Sequence, residues 1–280
     1  MDRAGAGGSG TIEMTAGRLA GRVALVTGAA GSGTGGAVVD DFLREGASVI
    51  LVDMRADALA ARVDALKAAG HKVAGAAASI TDRDALRAAV EPAAATLGTI
   101  EIVVANANVG GKPTTFDKTS AQSFRDDVAD NLGAQFNTIE LAIDGMKRLR
   151  RGSIVIVGSV NGLSALGQPA YSAAKAGLVS LTRTLAVEYG PCGIRANIVC
   201  PATIQTPGWG PRLERRPDLL ESLARWYPLG RVAQPRDVAR AITFLASDDA
   251  AFISGVTLPI DGGLLAGNAA MARELTLEDR

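Results

Sequence analysis

The chain of 280 residues is 48% hydrophobic and 21% charged, a composition typical of a globular protein long enough for one large domain. Its 29 Lys and Arg residues balance 29 Asp and Glu residues, so the net charge is zero and gives no electrostatic reason to expect a nucleic-acid partner. No apolar run approaches the roughly eighteen residues of a membrane span, and residues 1–16 lack the apolar core of a secretory signal. We therefore expect a cytoplasmic protein with no membrane partner.

Cysteine and histidine are too scarce to support two common kinds of site. The two cysteines, Cys192 and Cys200, lack the spacing of metal ligands and are interpreted as buried free thiols. The single histidine, His71, follows a glycine at the end of a predicted helix and is interpreted as a solvated turn residue. We therefore predict no metal site, and Ser-His-Asp hydrolysis has no suitably placed histidine.

Short apolar segments alternate with helical segments along most of the chain. Strands are predicted at 23–27, 48–53, 72–78, 101–105, 152–157, 194–200 and 256–260, and helices at 34–45, 57–69, 82–97, around 120–150, from Tyr171 to about Tyr189, and at 235–246. Apolar, β-branched strands that alternate with helices predict an α/β fold, a doubly wound parallel sheet covered on both faces. We expect one domain over residues 17–267, a mobile leader at 1–16 and a tail at 268–280.

The turn between the first strand and the first helix is rich in glycine. Gly28, Gly33 and Gly35 let the backbone approach the phosphates of a dinucleotide without a clash from a Cβ atom. Asp53 ends the second strand, where a carboxylate accepts hydrogen bonds from both ribose hydroxyls of NAD and repels the 2′-phosphate of NADP. Arg55 opposes that preference, and a solvated strand end is the alternative interpretation of Asp53. NAD is the predicted cofactor, and NADP is the less favoured one.

Tyr171 and Lys175 are the most informative pair of residues in the chain. Their spacing on a helix places the phenol and the ammonium on one face, one turn apart. A nearby cation favours the phenolate, which makes the tyrosine a usable proton donor and acceptor nearer neutral pH. Either residue alone would more often be a packing tyrosine or a solvated lysine. Together with the glycine turn, the pair predicts proton transfer beside a bound dinucleotide.

Residues 202–229 break the alternation with several prolines and glycines and are predicted to form a long loop. Trp209, Trp226 and Tyr227 lie in this segment, which suits a mobile lid over a partly apolar substrate such as a cyclic alcohol or ketone. Packing of the rings onto the body of the domain is an equal alternative. Four arginines of the same segment leave an acidic substrate open. They are Arg212, Arg215, Arg216 and Arg225.

These motifs, in this order, resemble the classical short-chain dehydrogenase/reductase family over about residues 17–265. The matching stretches are 27–35, Ala105-Asn106-Ala107-Asn108, Asn131, Ser159, Tyr171 with Lys175, Pro201-Ala202 followed by Thr206, and the closing segment 258–263. The resemblance implies a single-domain Rossmann fold with a seven-stranded sheet, and hydride transfer between NAD(H) and a secondary alcohol or ketone. It also implies a homotetramer that pairs helices around 121–150 and 171–189 across one interface and the end near 258–267 across another.

The resemblance further implies roles for named residues. Tyr171 acts as general acid/base, and Lys175 lowers its pKa and holds the nicotinamide ribose. Ser159 hydrogen-bonds the substrate oxygen, and Asn131 positions a water that links Lys175 to solvent. The expected cofactor-binding residues are Gly28, Ser32, Gly33, Thr34, Gly35, Asp53, Met54, Ser79, Ile80, Asn106, Ala107, Tyr171, Lys175, Pro201, Ala202, Ile204 and Thr206. The expected substrate-binding residues are Ser159, Asn161, Tyr171 and Trp209.

Several positions depart from the family pattern. The glycine turn has one extra residue between Gly28 and Gly33, so the turn must bulge. Four other positions carry residues that differ from the usual ones: Ser79, Ala105, Asn108 and Ala202. Ser79 stands where the family often has an adenine-binding aspartate, and Asn108 replaces a glycine.

Two competing hypotheses belong to other functional classes. A catalytically silent dinucleotide-binding sensor would explain the altered glycine turn and Asn108, and the intact Tyr171, Lys175 and Ser159 argue against it. A lyase-like relative such as a dehalogenase would carry arginine at the lysine position and lack a true dinucleotide site, so Lys175 and Asp53 argue against it. The same hydride chemistry with NADP(H) is the remaining alternative.

Overall fold

The computed structural model describes residues 17–108 and 114–276, and the leader predicted at 1–16 lies outside them. The strands are β1 Val23–Thr27, β2 Ser48–Asp53, β3 Val73–Ala77, β4 Ile102–Ala105, β5 Gly152–Val157, β6 Ile194–Pro201 and β7 Thr257–Ile260. The helices are α1 Thr34–Arg44, α2 Ala56–Ala68, α3 Arg83–Leu97, α4 Ala121–Val128, α5 Ala134–Leu149, α6 Pro169–Tyr189, α7 Gly210–Arg215, α8 Leu219–Ala224, α9 Pro235–Ala246 and α10 Ala269–Thr276.

The strands form one parallel sheet in the order β3-β2-β1-β4-β5-β6-β7. β1 pairs with β2 on one side and with β4 on the other, so the direction in which the chain moves across the sheet reverses between β1 and β4. In sheets of this kind, ligands bind in the crevice outside the carboxyl ends of the strands at the reversal. The predicted seven-stranded Rossmann fold is confirmed, and its topology indicates where a site should lie.

Two apolar clusters cover the two faces of the sheet. Val103 belongs to the cluster built with α3, α5 and α6, and its neighbour Val104 belongs to the cluster built with α1 and α9. Both valines are fully buried, because successive side chains of a strand point to opposite faces and both faces are covered. This burial explains why the strands read as continuous apolar runs in the sequence.

Three local features differ from the expectations. The helical region predicted around 120–150 is divided into α4 and α5 by a π-helical turn at Ala129–Gly133. The loop predicted at 202–229 contains the short helices α7 and α8, which its prolines had hidden. Cys200 is buried as expected, but Cys192 is only half-buried, because it lies in a 3₁₀ turn at the surface.

Across the described ranges, the helices fall short of the length and apolarity needed to cross a membrane.

Candidate active site

The glycine turn between β1 and α1 leaves the amino end of α1 accessible. Gly28 adopts φ 69°, a left-handed conformation that favours glycine. A Cβ atom on Gly35 would lie 2.7 Å from Asn106 Nδ2, so a larger residue does not fit there. A Cβ atom on Gly33 would meet nothing closer than Thr206 Cγ2 at 3.9 Å, so the space beside the residue that precedes α1 is open. Accessible amides at a helix N-terminus are suited to bind phosphate.

The extra residue of the turn is accommodated at Gly36, which the sequence reasoning did not single out. A Cβ atom on Gly36 would overlap the carbonyl oxygen of Gly31, so the bulged turn lies directly against the first turn of α1. The consecutive glycines at 35 and 36 are the only signal of this contact in the sequence. Ser32, a predicted cofactor-binding residue, is exposed on the bulge.

The carboxylate of Asp53 lies at the carboxyl end of β2 beside the glycine turn. Its Oδ2 accepts a hydrogen bond from the backbone amide of Ala30 at 3.0 Å. The Arg55 guanidinium donates to both carboxylate oxygens, from Nε at 3.0 Å and from Nη2 at 3.1 Å. Burial raises the pKa of Asp53, but the hydrogen bonds from Arg55 and Ala30 outweigh it and hold the pKa below its ordinary value. Asp53 is therefore an ionised carboxylate that is already paired with a cation.

The ends of β1 and β4 are tied together below the glycine turn. The backbone amides of Asn106 and Ala107 donate to Thr27 Oγ1 at 3.0 and 2.9 Å, and Asn106 Nδ2 donates to the Thr27 carbonyl at 2.8 Å. The buried Gln135 of α5 donates to the Ala107 carbonyl from below. Sequence reasoning missed Gln135, since a glutamine within a helix carries no signal of such a contact. The bonds hold the segment after β4 rigidly against the crevice.

Ser159 follows β5 and is held by its neighbours. Its hydroxyl donates to Asn161 Oδ1 at 3.3 Å and accepts from the Asn161 amide at 3.2 Å. The residue before it must be small, because a Cβ atom on Gly158 would lie 2.8 Å from Ile198 Cδ1 and 3.0 Å from Cys200 Sγ. Because β5 packs closely on β6, the Ser159 hydroxyl lies at the edge of the crevice.

Tyr171 and Lys175 share one face of α6, as their spacing predicts. Lys175 Nζ lies 5.4 Å from the centroid of the Tyr171 ring and donates to the Val157 carbonyl at 3.2 Å. Burial lowers the pKa of Lys175 from 10.5 to about 8. The lysine is therefore close to losing its proton near neutral pH.

The structure differs from the expectation that Lys175 lowers the pKa of Tyr171. Burial is the largest influence and raises the pKa of the phenol, and hydrogen bonding with Ser159 and Asn108 only partly offsets it. Asn108, which replaces the usual glycine, thus joins Ser159 at the tyrosine hydroxyl. The phenol consequently keeps its proton through neutral pH.

Asn131 lies in the π-helical turn between α4 and α5, which packs against α6. Its side chain is fully buried, and its Nδ2 donates to the Asp127 carbonyl at 3.0 Å. Among residues 17–108 and 114–276, no group forms a hydrogen bond with its Oδ1. An unpaired buried acceptor is rare enough in folded proteins to require an explanation.

The segment after β6 is fixed by backbone and indole hydrogen bonds. Ala202 donates to the Ile260 carbonyl at 3.1 Å, and Ala233 donates to the Thr203 carbonyl at 3.0 Å. The indole of Trp209 donates to the Ile204 carbonyl at 2.8 Å. These bonds position the backbone from Pro201 to Thr206 opposite the glycine turn.

One cavity of about 1130 Å³ brings most of the predicted site residues together. Its lining includes Gly28, Thr34, Gly35, Asp53, Met54, Ser79, Ile80, Asn106, Ala107, Ser159, Asn161, Tyr171, Lys175, Pro201, Ala202, Ile204, Thr206 and Trp209. Ser32, Gly33 and Asn131 are the predicted residues that do not line it. Asn131 is fully buried in the turn that packs against α6.

Residues 202–229, called the lid segment from here on, line a second part of the cavity, which we call the lid half. Apolar side chains there include several that the sequence did not predict: Leu166, Leu223 and Leu264. Trp209, Trp226 and Tyr227 all line the cavity, and Tyr227 is also buried, with its hydroxyl accepting from the Thr203 amide at 3.2 Å. Tyr227 therefore packs onto the body of the domain, whereas Trp209 and Trp226 line the cavity, and the lid role of the segment stays a prediction.

The donor set of the cavity fits a nicotinamide dinucleotide. Open amides at the start of α1 suit its phosphates, and Asp53 at the end of β2 suits a ribose. Within residues 17–108 and 114–276, no group of three His, Cys, Asp or Glu side chains is arranged to hold a metal ion.

Comparisons with known proteins identify the family of the chain. The family model described as Enoyl-(Acyl carrier protein) reductase matches residues 28–265. An uncharacterized oxidoreductase of Schizosaccharomyces pombe is 42% identical over 260 residues, which is 92% of this chain and 96% of that protein. 2-(S)-hydroxypropyl-CoM dehydrogenase 3 of Xanthobacter autotrophicus is 38% identical over 256 residues, which is 89% of this chain and 98% of that protein.

Solved structures agree as well. A short-chain dehydrogenase/reductase from Burkholderia thailandensis superposes with a TM-score of 0.85 at 48% identity, over 92% of this chain and 98% of that one. Carveol dehydrogenase from Mycobacterium avium, solved with NAD, gives a TM-score of 0.83 at 31% identity over 90% and 100% of the two chains. A gluconate 5-dehydrogenase from Burkholderia cenocepacia, solved with NADP and tartrate, gives a TM-score of 0.83 at 26% identity, over 90% of this chain and 98% of that one. The resemblance inferred from the motifs is thereby confirmed.

Proposed function

Since the chain belongs to the classical short-chain dehydrogenase/reductase family, an oxidoreductase family that binds a nicotinamide dinucleotide and acts on CH-OH groups, we propose that it transfers a hydride between NAD(H) and a secondary alcohol or ketone. The observation that carries this proposal is the convergence of Tyr171, Ser159 and Asn108 on one wall of the cavity that also holds the glycine turn. The nicotinamide supplies the hydride chemistry when bound.

In this proposal, side chains of the protein transfer one proton to or from the substrate and bind the substrate oxygen. In reduction, the Tyr171 hydroxyl donates its proton to the substrate oxygen, and in oxidation the phenolate takes it back. The Ser159 hydroxyl hydrogen-bonds the same substrate oxygen and stabilises charge as it develops there. A raised pKa of Tyr171 keeps the phenol protonated at neutral pH, which is the form that donates the proton in reduction.

Lys175 and Asn131 complete the proton path in this proposal. Lys175 Nζ, with a pKa of about 8, can take up or release a proton close to neutral pH, and it is placed to hold the nicotinamide ribose. Asn131 contributes the unpaired Oδ1 in the turn packed against α6, an acceptor suited to a water that links Lys175 to solvent.

Replacement of Tyr171 by phenylalanine tests the mechanism. We expect kcat/KM to fall by about 10²–10⁴-fold, followed through the near-ultraviolet absorbance of reduced nicotinamide with a panel of secondary alcohols and ketones. Cofactor binding, measured by calorimetry, should be retained. Full turnover in the variant would exclude Tyr171 as the acid/base. Cofactor binding by the unaltered protein without turnover across the panel would instead support a catalytically silent sensor.

The same chemistry with NADP(H) is the second candidate, and Arg55 is the observation that favours it. Its guanidinium is 60% exposed and lies beside the bulged turn, where a Cβ atom on Gly31 would be 3.2 Å from Arg55 Nη2. A guanidinium in that position suits a 2′-phosphate. Asp53 opposes such a phosphate, so NAD remains the preferred cofactor of this proposal.

A homotetramer is proposed on the family's pattern. Large apolar side chains are exposed on the helices expected at the main interface, with Phe136 of α5 at 52% and Val187 of α6 at 77% exposure. Burial of such side chains between subunits would stabilise an assembly. Sedimentation equilibrium tests this proposal: a tetramer supports it, and a stable monomer would exclude it.

A further inference from the structure

Arg212 is a cation on the wall of the cavity, and no acidic side chain of residues 17–108 and 114–276 pairs with it. Its guanidinium lies 5.0 Å from the centroid of the Trp209 ring. Within the described part of the chain, this guanidinium makes no ion pair and no hydrogen bond. Arg216, on the same segment, is instead paired with Asp218 at 3.4 Å and does not line the cavity. Arg212 is therefore distinguished from its neighbour both by position and by its lack of a partner.

The charges around the cavity are unevenly distributed. Its charged lining residues are Asp53, Arg55, Lys175 and Arg212. Asp53 and Arg55 bind each other at the end of β2, and Lys175 is buried with its Nζ on a backbone carbonyl. No carboxylate among the described residues lines the lid half. An anion bound at that end would therefore meet Arg212, a cation that has no carboxylate beside it among the described residues.

The arginine is also held in a defined orientation. The Trp209 ring is fixed by the hydrogen bond from its indole to the Ile204 carbonyl at 2.8 Å. A guanidinium stacked over an aromatic face keeps its N–H edge free, and that edge matches the two oxygens of a carboxylate. Apolar side chains of the same half, Leu166 and Leu223, suit the body of a substrate that carries such a group.

We propose that the substrate is a secondary alcohol or ketone that carries a carboxylate on an apolar body, and that Arg212 binds this carboxylate. The inference rests on the proposed hydride transfer and names its substrate class. Arg212 acts as a specificity residue, because it holds the end of the substrate remote from Tyr171. Its loss should therefore raise KM for acidic substrates and leave kcat nearly unchanged.

The test compares two keto acids with their neutral esters. The pairs are 4-oxocyclohexanecarboxylate and 3-benzoylpropanoate, each with its methyl ester, reduced by the full-length protein. The variants are Arg212→Met and the matched control Arg215→Met, which removes the same charge from an exposed residue of α7 that does not line the cavity. We expect Arg212→Met to raise KM for both acids about tenfold, as loss of a charge-assisted hydrogen bond would. KM for the esters, and every value in Arg215→Met, should stay unchanged.

A second measurement separates this inference from the proposed function. Binding of 4-phenylbutanoate, which has no carbonyl to reduce, is measured by calorimetry in the presence of cofactor. No turnover of any compound, together with binding that weakens in Arg212→Met but not in Arg215→Met, would overturn the hydride transfer and support the anion site. Equal KM values for acids and esters in the unaltered protein and in Arg212→Met would overturn the anion site and leave the function standing. Absence of both turnover and Arg212-dependent binding would overturn both.

Discussion

Arg55 donates to both carboxylate oxygens of Asp53, at 3.0 and 3.1 Å, so the residue expected to select NAD is held by a residue expected to favour NADP. The two side chains differ in environment: Asp53 is 5% exposed and Arg55 is 60% exposed. An ion pair with one partner in solvent contributes only about 0–1 kcal/mol. The pair is therefore easily opened, and either the ribose hydroxyls of NAD or the 2′-phosphate of NADP can displace one partner.

Removal of Arg55 should sharpen the preference for NAD. In Arg55→Leu the carboxylate has no competing cation, so we expect KM for NAD to fall about two- to fivefold, in line with the small energy of an exposed pair. KM for NADP should rise at least tenfold, because the 2′-phosphate then meets Asp53 alone. Steady-state kinetics with both cofactors measures this change. Asp53→Asn is the converse variant, and an improved KM for NAD in it would contradict the assignment of Asp53.

The bulged glycine turn makes a prediction about stability. Gly36→Ala should destabilise the fold by about 1–3 kcal/mol, since the new Cβ atom would overlap the Gly31 carbonyl and force the backbone apart. Gly33→Ala is the matched control, because its Cβ atom would meet nothing closer than 3.9 Å. Urea denaturation of the cofactor-free protein measures both. Equal stability of the two variants would show that the turn can move to relieve the overlap.

Much of this architecture could be predicted from the sequence because it depends on local patterns. Val103 and Val104 lie in a continuous apolar run that identifies a strand buried on both faces, and the spacing of Tyr171 and Lys175 requires only a regular helix. The contact of Gly36 with Gly31 was not predictable, since it follows from how an inserted residue folds back in three dimensions.

Other features depend on tertiary contacts that carry no sequence period. The π-helical turn at Ala129–Gly133 divides a region that the sequence predicts as one continuous helix. The direction of the pKa shift of Tyr171 was wrong at the sequence level, because the spacing to Lys175 shows a cation and not the depth of burial. Stacking of Arg212 on Trp209 likewise depends on a short helix within a proline-rich segment.

Asn108 should influence the pH dependence of the reaction. Its hydrogen bond lowers the pKa of Tyr171, so Asn108→Gly should raise that pKa further. In the proposed mechanism, oxidation requires the phenolate of Tyr171 and reduction requires the phenol. When kcat/KM is plotted against pH, it should rise with pH for alcohol oxidation and fall with pH for ketone reduction. Both of these limbs should move to higher pH in the variant. Limbs that move in opposite directions, or not at all, would contradict a contact between Asn108 and the catalytic hydroxyl.

The buried charge of Lys175 should lower the free energy of unfolding at neutral pH. Its folded pKa of about 8 lies below its ordinary value of 10.5. Below about pH 8 the lysine is charged in both the folded and the unfolded state, and burial of that charge penalises the folded state. Between about pH 8 and 10.5 the folded protein releases the proton that the unfolded chain retains, so stability rises with pH through this window.

Lys175→Met removes this penalty together with the proton that the proposed mechanism assigns to Lys175. We expect the variant to be inactive yet more stable than the unaltered protein at pH 7, by at most about 3 kcal/mol, with the difference shrinking as pH approaches 10.5. The gain falls below that limit because the Val157 carbonyl loses its hydrogen bond from Nζ. Chemical denaturation across this pH range measures the difference, with Lys67→Met, an exposed lysine of α2, as the control. A variant that is destabilised equally at every pH would show that the ammonium is well solvated or paired in the folded protein.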